Sequence, residues 1–313
     1  MGKVIVIGAG HGGLAVSARL AVKGHDVQIY EAGSSAVTIP QVLTLPAAYR
    51  DLFIKTGGQL EEVLELAEPE FAFEFKTESQ GTIQIPASGI GRVLTQIEKT
   101  LGKAAANQWR DYTVLLGQIW QQSRTKLIET ENEDPLWKIV GFKNYLKIRN
   151  FEKFIRQQLS NLDLQNLART YRAQCYVDLD TKIGLLGLCS YVQQAFGVYE
   201  AAGGLSALTN ALENRCAKLG VKILFNRVAS PVVSGNNLIG VELASGNLVA
   251  ADFVIVNDLQ AMPEIAKWTD TTTPGTNTAG LYRIEERSWL GLGTSHAVMS
   301  AEIVADLIGS AAH

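Results

Sequence analysis

The chain has 313 residues, of which 47% are hydrophobic and 19% charged, with a formal net charge of −3. Those proportions describe a globular protein with a sizeable core, in two domains or one elaborated domain, and exclude a disordered chain. The slight acidic excess and the lack of a long basic run exclude a general nucleic-acid binder.

The three cysteines, Cys175, Cys189 and Cys216, are odd in number and show no C-x-x-C spacing, which fits free thiols in a reducing compartment. The first strand begins at once, with no basic stretch and apolar core of a leader ahead of it. No apolar run approaches the roughly 18 residues that cross a bilayer. The expected location is cytoplasmic.

Residues 3–31 read KVIVIGAGHGGLAVSARLAVKGHDVQIYE. Val4–Ile7 is a β-branched apolar run, the pattern of a strand buried on both faces. It enters a G-x-G-x-x-G turn, Gly8-Ala9-Gly10-His11-Gly12-Gly13. Leu14, Ala15, Ala18, Leu20 and Ala21 then recur at helical spacing, Gly24 stops the helix, and Val27–Tyr30 is a second strand ending at Glu31. In such a unit the first glycine permits a tight turn, the second lets backbone approach a pyrophosphate, and the third lets the helix pack close to the sheet. The helix start offers N–H groups to phosphate oxygens. Glu31 stands about 20 residues further on, where a carboxylate accepts from ribose hydroxyls. A dinucleotide site and a plain βαβ unit with packing glycines both fit this string.

A loop (Ala32 to Ala36) follows. From Ala47 the apolar spacing predicts two short helices split by Gly57-Gly58. Phe71, Phe73 and Phe75 alternate and are mirrored by Thr82–Ile85, which predicts a hairpin whose aromatics line an apolar cavity or cover a core. Residues 90–172 read as largely helical. The basic and aromatic stretch Lys143 to Lys153 is either a solvated face or a surface for a membrane. Residues 183–199, with Phe196, predict a buried helix or a cavity wall. Leu205–Leu219 predicts an amphipathic helix, Val221–Phe225 a strand, and 228–250 an antiparallel meander with turns at Gly235-Asn236-Asn237 and Ser245-Gly246-Asn247. Asp252–Val256 is another buried strand. Residues 259–279 form a Thr-, Gly- and Pro-rich linker before a last strand at 280–284, a Gly291-Leu-Gly293 turn and a helix over 297–308.

No pair of histidines and acids has metal-ligand spacing, so no metal site is expected. His11 is expected to cap or be exposed at the helix start, or else to lean on a cofactor, His25 is expected in a surface turn, and His296 beside the last helix as a structural residue or a proton relay. Thr294-Ser295 reads as an N-cap pair. No nucleophilic or acid–base constellation stands out, so no catalytic residue is named.

GAGHGGL opening a βαβ unit that ends in Glu31 resembles the FAD-binding head of phytoene desaturase-like flavoproteins, within the flavin amine oxidase superfamily. VLTLPAAYRDLF resembles the early substrate-domain segment of carotenoid desaturases. FGVYEAAGGLSALTNALENRCAKLGVKILFNRVASPV resembles their return to the cofactor domain, and GLYRIEERSWLGLGTSHAVMSAEIVADLIG their flavin-contacting C-terminal unit.

The resemblance implies an α/β fold. A Rossmann-like FAD domain would be assembled from 1–38, 204–258 and 280–313, with an inserted α+β substrate domain at 39–203. It implies FAD held by Gly8, Ala9, Gly10, His11, Gly12, Gly13, Leu14, Glu31 and Ala32. Val228 would stand at the adenine, with Glu286, Gly291 and Gly293 near the flavin. Phe71, Phe73, Phe75 and Phe196 would line the cavity of an apolar isoprenoid or lipid substrate, oxidised by hydride transfer to the flavin. Contact with a membrane surface and pairing with a second copy stay open. The chain also departs from the family. The Arg-x-Gly-Gly element after the ribose acid is missing, Glu285 stands where a glycine is usual, and only the 259–279 linker replaces a long substrate-domain segment. Those departures leave a second outcome open: a redox-silent dinucleotide- or lipid-binding protein or partner subunit.

Overall fold

The structure is a computed structural model, and it describes residues 1–36, 43–78, 81–126, 136–175, 187–257, 278–284 and 294–311. The expectations for Glu285, Glu286, Gly291 and Gly293, and for nearly all of the 259–279 linker, lie outside the described residues.

In chain order, β1 (Lys3–Ile7), α1 (His11–Val22) and β2 (Asp26–Tyr30) come first, as their spacing predicts. Then come α2 (Ala47–Lys55), β3 (Leu66–Ala67), β4 (Phe71–Lys76) and β5 (Thr82–Pro86). Helices α3 (Ile90–Leu101), α4 (Lys103–Arg124), α5 (Leu136–Val140), α6 (Phe142–Ile148), α7 (Phe151–Gln158), α8 (Leu162–Gln174) and α9 (Leu188–Phe196) follow. The rest is β6 (Glu200–Ala201), α10 (Leu205–Lys218), β7 (Lys222–Leu224), β8 (Ala229–Ser234), β9 (Asn237–Leu243), β10 (Leu248–Ala250), β11 (Phe253–Val256), β12 (Leu281–Arg283) and α11 (Thr294–Ile308).

A five-stranded parallel sheet runs β12-β11-β1-β2-β7. Alternation along its strands sorts side chains into two cores. Val4 and Val6 face the helices α1, α10 and α11, together with Val27, Ile29 and Ile255. Ile5 and Ile7 face the other way with Tyr30, Val254 and Val256, and the antiparallel meander β8-β9-β10 covers them through Ala229 and Val241. Sandwiched in this way, β1 must be apolar on both faces, which is why its sequence does not alternate. From β1 the chain winds outward through β2 to β7, then returns to β11 and β12 on the other side. Strand order therefore reverses between β1 and β11, the place where open α/β sheets bind ligands at their carboxyl ends.

The third core lies among α3–α9 and the β4–β5 hairpin. Trp109, Tyr112, Phe151, Phe154 and Tyr171 are its largest enclosed side chains. Residues 43–67 join the sheet's helices instead: Leu43, Tyr49, Leu52, Phe53, Leu60 and Leu64 pack into the core of α1, α10 and α11.

One expected helix is not formed. After Gly57-Gly58 the chain makes only a single 3-10 turn, Leu60–Glu62, before Leu66 and Ala67 pair antiparallel with Ala201 and Glu200. The apolar spacing of Leu60 and Leu64 serves burial, while the pairing of 66–67 pulls the backbone out of helical register.

Candidate functional site

The glycine turn stands at the strand-order reversal. Gly8 has φ +101, a conformation that side chains rarely adopt, and its N–H donates to the Tyr30 carbonyl at 2.9 Å. A Cβ on Gly13 would stand 2.2 Å from the Gly8 carbonyl oxygen, so α1 approaches the end of β1 as closely as only glycine allows. Gly12 is as tightly set: its Cβ would meet Asn257 Oδ1 at 2.4 Å and Ile284 Cγ2 at 2.5 Å. Gly10, by contrast, has an ordinary φ of −70 and caps α1 with no side-chain hydrogen bond. Leu14 N–H, donating to Gly10 at 2.9 Å, begins the helical ladder, so the N–H groups ahead of it in α1 have no acceptor within the helix.

Glu31 closes one side of the turn. One carboxylate oxygen accepts from Ala9 N–H at 2.7 Å and the other from Gly33 N–H at 2.7 Å. Each oxygen keeps acceptor capacity beyond that single bond. The segment that leads to Val228 runs alongside, with Asn226 N–H donating to the Gly33 carbonyl and Arg227 N–H to the Glu31 carbonyl at 2.8 Å. Val228 is half-exposed and its carbonyl accepts from Ala244 N–H. Val228, far from Glu31 and Ala32 in sequence, thus lies with them along one edge of the turn, and Ala32 is exposed there.

Gly8 to Gly13 are all buried, and Glu31 is only 5% exposed. Two cavities lined by other described residues lie away from the turn. One, of about 670 Å³, lies between α10 and the 58–64 segment, and the other, of about 490 Å³, is on α4.

His11 differs from its expectation. Its ring is enclosed, with Nδ1 2.7 Å from the Tyr49 hydroxyl and Nε2 2.8 Å from Thr209 Oγ1. Tyr49 in turn donates to Thr294 Oγ1 at 2.6 Å. The ring pins α1 to α2, α10 and α11, and burial lowers its pKa from 6.5 to about 4. Only the backbone N–H of His11 is left to serve a phosphate. Leu14 likewise turns into the core, and its N–H and carbonyl are taken by the Gly10 carbonyl and the Cys216 thiol.

Thr294 and Ser295 are not the expected cap pair. Thr294 receives Tyr49, and the Ser295 hydroxyl donates to the Thr44 carbonyl. His25 is buried rather than on the surface, its Nε2 3.0 Å from the Gly309 carbonyl and its ring edge-on to Phe253.

The aromatic residues expected around a substrate sit in the helical core. Phe75 is buried there, and Phe73 meets Tyr171 edge-on at 5.1 Å. Phe196 packs on Trp120 at 5.5 Å, and Phe71 is half-buried at the end of the hairpin. None of them lines either described cavity.

Asn257 was not singled out from sequence. It ends β11 beside the Gly8 end of β1, donates its N–H to Ile7 at 2.8 Å, and is 7% exposed. Its Oδ1 faces Gly12 with no hydrogen-bond partner. The signal available was its place after the buried run FVIV, at the carboxyl end of a parallel strand.

No protein-family profile matches the chain. Among curated proteins it is similar to the zeta-carotene-forming phytoene desaturase of Myxococcus xanthus, 24% identical over 284 residues, which cover 82% of this chain and 53% of that protein. It is also similar to the 4,4'-diapophytoene desaturase (4,4'-diaponeurosporene-forming) of Staphylococcus aureus, 22% identical over 255 residues, with 74% of this chain and 49% of that protein covered. The chain is thus similar in sequence to phytoene and diapophytoene desaturases. It spans about half the length of these curated relatives. Its fold is shared with a crystal structure of an oxidoreductase from Methanosarcina mazei, at TM-score 0.52 and 15% identity over 82% of this chain and 58% of that one. Putrescine oxidase bound to putrescine gives TM-score 0.53 at 14% identity, over 82% of this chain and 57% of that one. The expected Rossmann-like architecture is thus found both in the sheet itself and in these neighbours.

Proposed function

We propose that the chain is an FAD-dependent oxidoreductase acting on an apolar isoprenoid or related lipid. The observation that carries the reading is the turn at the strand-order reversal, where Glu31 spans Ala9 and Gly33 beside α1's uncapped start. Similarity to phytoene and diapophytoene desaturases supports the substrate class. The residues fit the group. The backbone at Gly10 to Gly13 would take the pyrophosphate, Glu31 the adenosine ribose, and the 226–228 segment the adenine. Asn257, an orphaned acceptor at the carboxyl end of β11, suits a ligand hydroxyl. When bound, FAD would supply the hydride acceptor that no side chain can replace. The chain's own part is to bind, orient and keep water away. The division into a cofactor domain at 1–38, 204–258 and 280–313 and a cap at 39–203 belongs to this reading. Because such a substrate resides in bilayers, the reading also expects work at a membrane surface.

The test is an absorbance spectrum of the purified protein and its melting temperature with and without FAD. A yellow protein, or one that melts higher with added FAD, is expected, since a ligand bound only by the folded state raises its apparent stability. Gly10→Val should abolish that gain, because its backbone suits any residue and a side chain there would meet the phosphates. The melting temperature without FAD, read beside it, separates a lost ligand from a lost fold. A colourless protein that FAD does not stabilise sinks the oxidoreductase reading and favours a redox-silent lipid-binding protein.

A further inference from the structure

The α5–α6 corner carries a surface that the fold leaves unused. Its inner side is anchored: Ile139, Val140 and Ile148 are buried in the helical core, and Tyr145 packs against it. Its outer side is apolar where water should be. Trp137 is 44% exposed, Phe142 62% and Leu146 49%. Phe142 and Leu146 are four apart on one short helix and so share a face, and Lys143 and Lys147 flank them at the same spacing. Lys138 Nζ lies over the Trp137 ring, 5.8 Å from its centroid.

The charge around this face is lopsided. Residues 136–158 hold Lys138, Lys143, Lys147, Arg149, Lys153 and Arg156 against a single acid, Glu152, in a chain whose net charge is −3. Glu152 is already engaged by Arg169 at 2.7 Å and Arg156 at 3.7 Å. Lys143, Lys147, Arg149 and Lys153 are exposed and have no ion pair among the described residues. The acids Glu129, Glu131, Glu133 and Asp134, just before this stretch in sequence, lie outside the described residues.

We infer that this corner docks the protein on an anionic phospholipid bilayer. Trp137, Phe142 and Leu146 enter the headgroup–acyl boundary, and the lysines around them meet lipid phosphates. Exposed aromatic and aliphatic side chains ringed by basic ones suit that boundary, where apolar burial and attraction to anionic lipid add. An acidic protein partner would pair with the lysines but would not need three large apolar side chains presented to water. No helix among the described residues is long and apolar enough to cross a membrane, so this corner would hold the protein on the surface. The inference deepens the reading of an apolar substrate taken from a membrane, but its observations are independent of the glycine turn.

The test is flotation of the full chain with phosphatidylcholine vesicles, with and without phosphatidylglycerol. Binding to the anionic vesicles is expected, weakened by salt. Lys143→Glu with Lys147→Glu should lower it by at least about tenfold, since each basic residue near such a surface contributes roughly a factor of five. Phe142→Gln with Leu146→Gln should lower it too, and leave more salt dependence in what remains. All four side chains are on the outside, and circular dichroism checks that the variants stay folded. Absent vesicle binding, or binding unchanged in both double variants, overturns the inference. So does self-association by sedimentation equilibrium that Phe142→Gln with Leu146→Gln abolishes, because the face would then join two copies. Flavin absorbance of the same preparations keeps the two readings apart: yellow protein that ignores vesicles sinks the docking face alone, and colourless protein that floats with them sinks the cofactor alone.

Discussion

Around the glycine turn, buried polar groups mostly find each other. His11, Tyr49, Thr209 and Thr294 form one connected set, and Glu31 is held by two backbone N–H groups. Asn257 Oδ1 is left over there, and among the described residues the helical core leaves several such atoms between its rings. Tyr171 Oη, Trp120 Nε1 and Gln193 Oε1 have no partner, and the Tyr112 and Ser190 hydroxyls lie near each other without a well-formed hydrogen bond. The sheet side is fixed by direction: strand register, a left-handed glycine and specific hydrogen bonds place each group. The helical side is fixed by volume, with rings packed on rings, as Trp109 is on Tyr112 at 5.2 Å and on Tyr171 at 5.9 Å. A site that must meet a ligand to within a fraction of an ångström belongs on the first kind of scaffold.

The largest way to break that contrast is at Gly13. Its Cβ would strike the Gly8 carbonyl at 2.2 Å, and neither partner is a flexible side chain that can swing aside. Gly13→Val should cost about 3 kcal/mol or more and separate α1 from β1. Urea unfolding measures it. A variant of near wild-type stability would mean that the close approach is not what holds this turn.

His11 gives the next effect, and its sign follows from burial. The folded-state pKa is about 4 and the free imidazole's 6.5, so between those values the unfolded chain holds a proton that the native one does not. Stability is therefore complete above pH 6.5, falls as pH drops toward 4, and loses nothing further to this group below that. The shift corresponds to about 3 kcal/mol. Carboxylates titrate over part of the same range, so the useful quantity is the difference between wild type and His11→Gln. That difference should narrow by about 3 kcal/mol on acidification from pH 6.5 to 4, read by denaturant unfolding at each pH. Parallel curves would place the imidazole in water.

How much of this was legible follows the same division. The β1–α1–β2 unit announces itself because each step needs a particular residue: apolar Val4–Ile7 for a strand covered on both faces, Gly8 for its positive φ, Gly13 for contact with backbone. The 228–250 meander was readable from its turns. The partners of His11 were not, because they stand 38 and 198 residues away and nothing local requires them. His25 read as a surface turn residue for the same reason, since the α11 end that receives it comes 284 residues later. Asn257 could have been found from its position at a strand end, but only once β11 was known to neighbour β1. The aromatic hairpin was legible as a hairpin, yet whether Phe73 and Phe75 face a cavity or a core depended on Tyr171 and its neighbours, which no local pattern supplies.

The smallest effect is the sharpest, because it asks for opposite signs from the same chemical change. Tyr49 and Tyr171 are both enclosed tyrosines. The Tyr49 hydroxyl bridges His11 and Thr294, so Tyr49→Phe strips a partner from two buried groups and should cost about 1–2 kcal/mol. The Tyr171 hydroxyl is buried with nothing to bond, so Tyr171→Phe removes an uncompensated desolvation and keeps the ring on Phe73 and Trp109. That change should be neutral or stabilise by up to about 1 kcal/mol. Urea midpoints of the two variants, measured side by side, decide the matter. Equal losses at both positions would mean that the helical core satisfies its polar atoms as well as the sheet side does, and the distinction between a scaffold set by direction and one set by volume would fall.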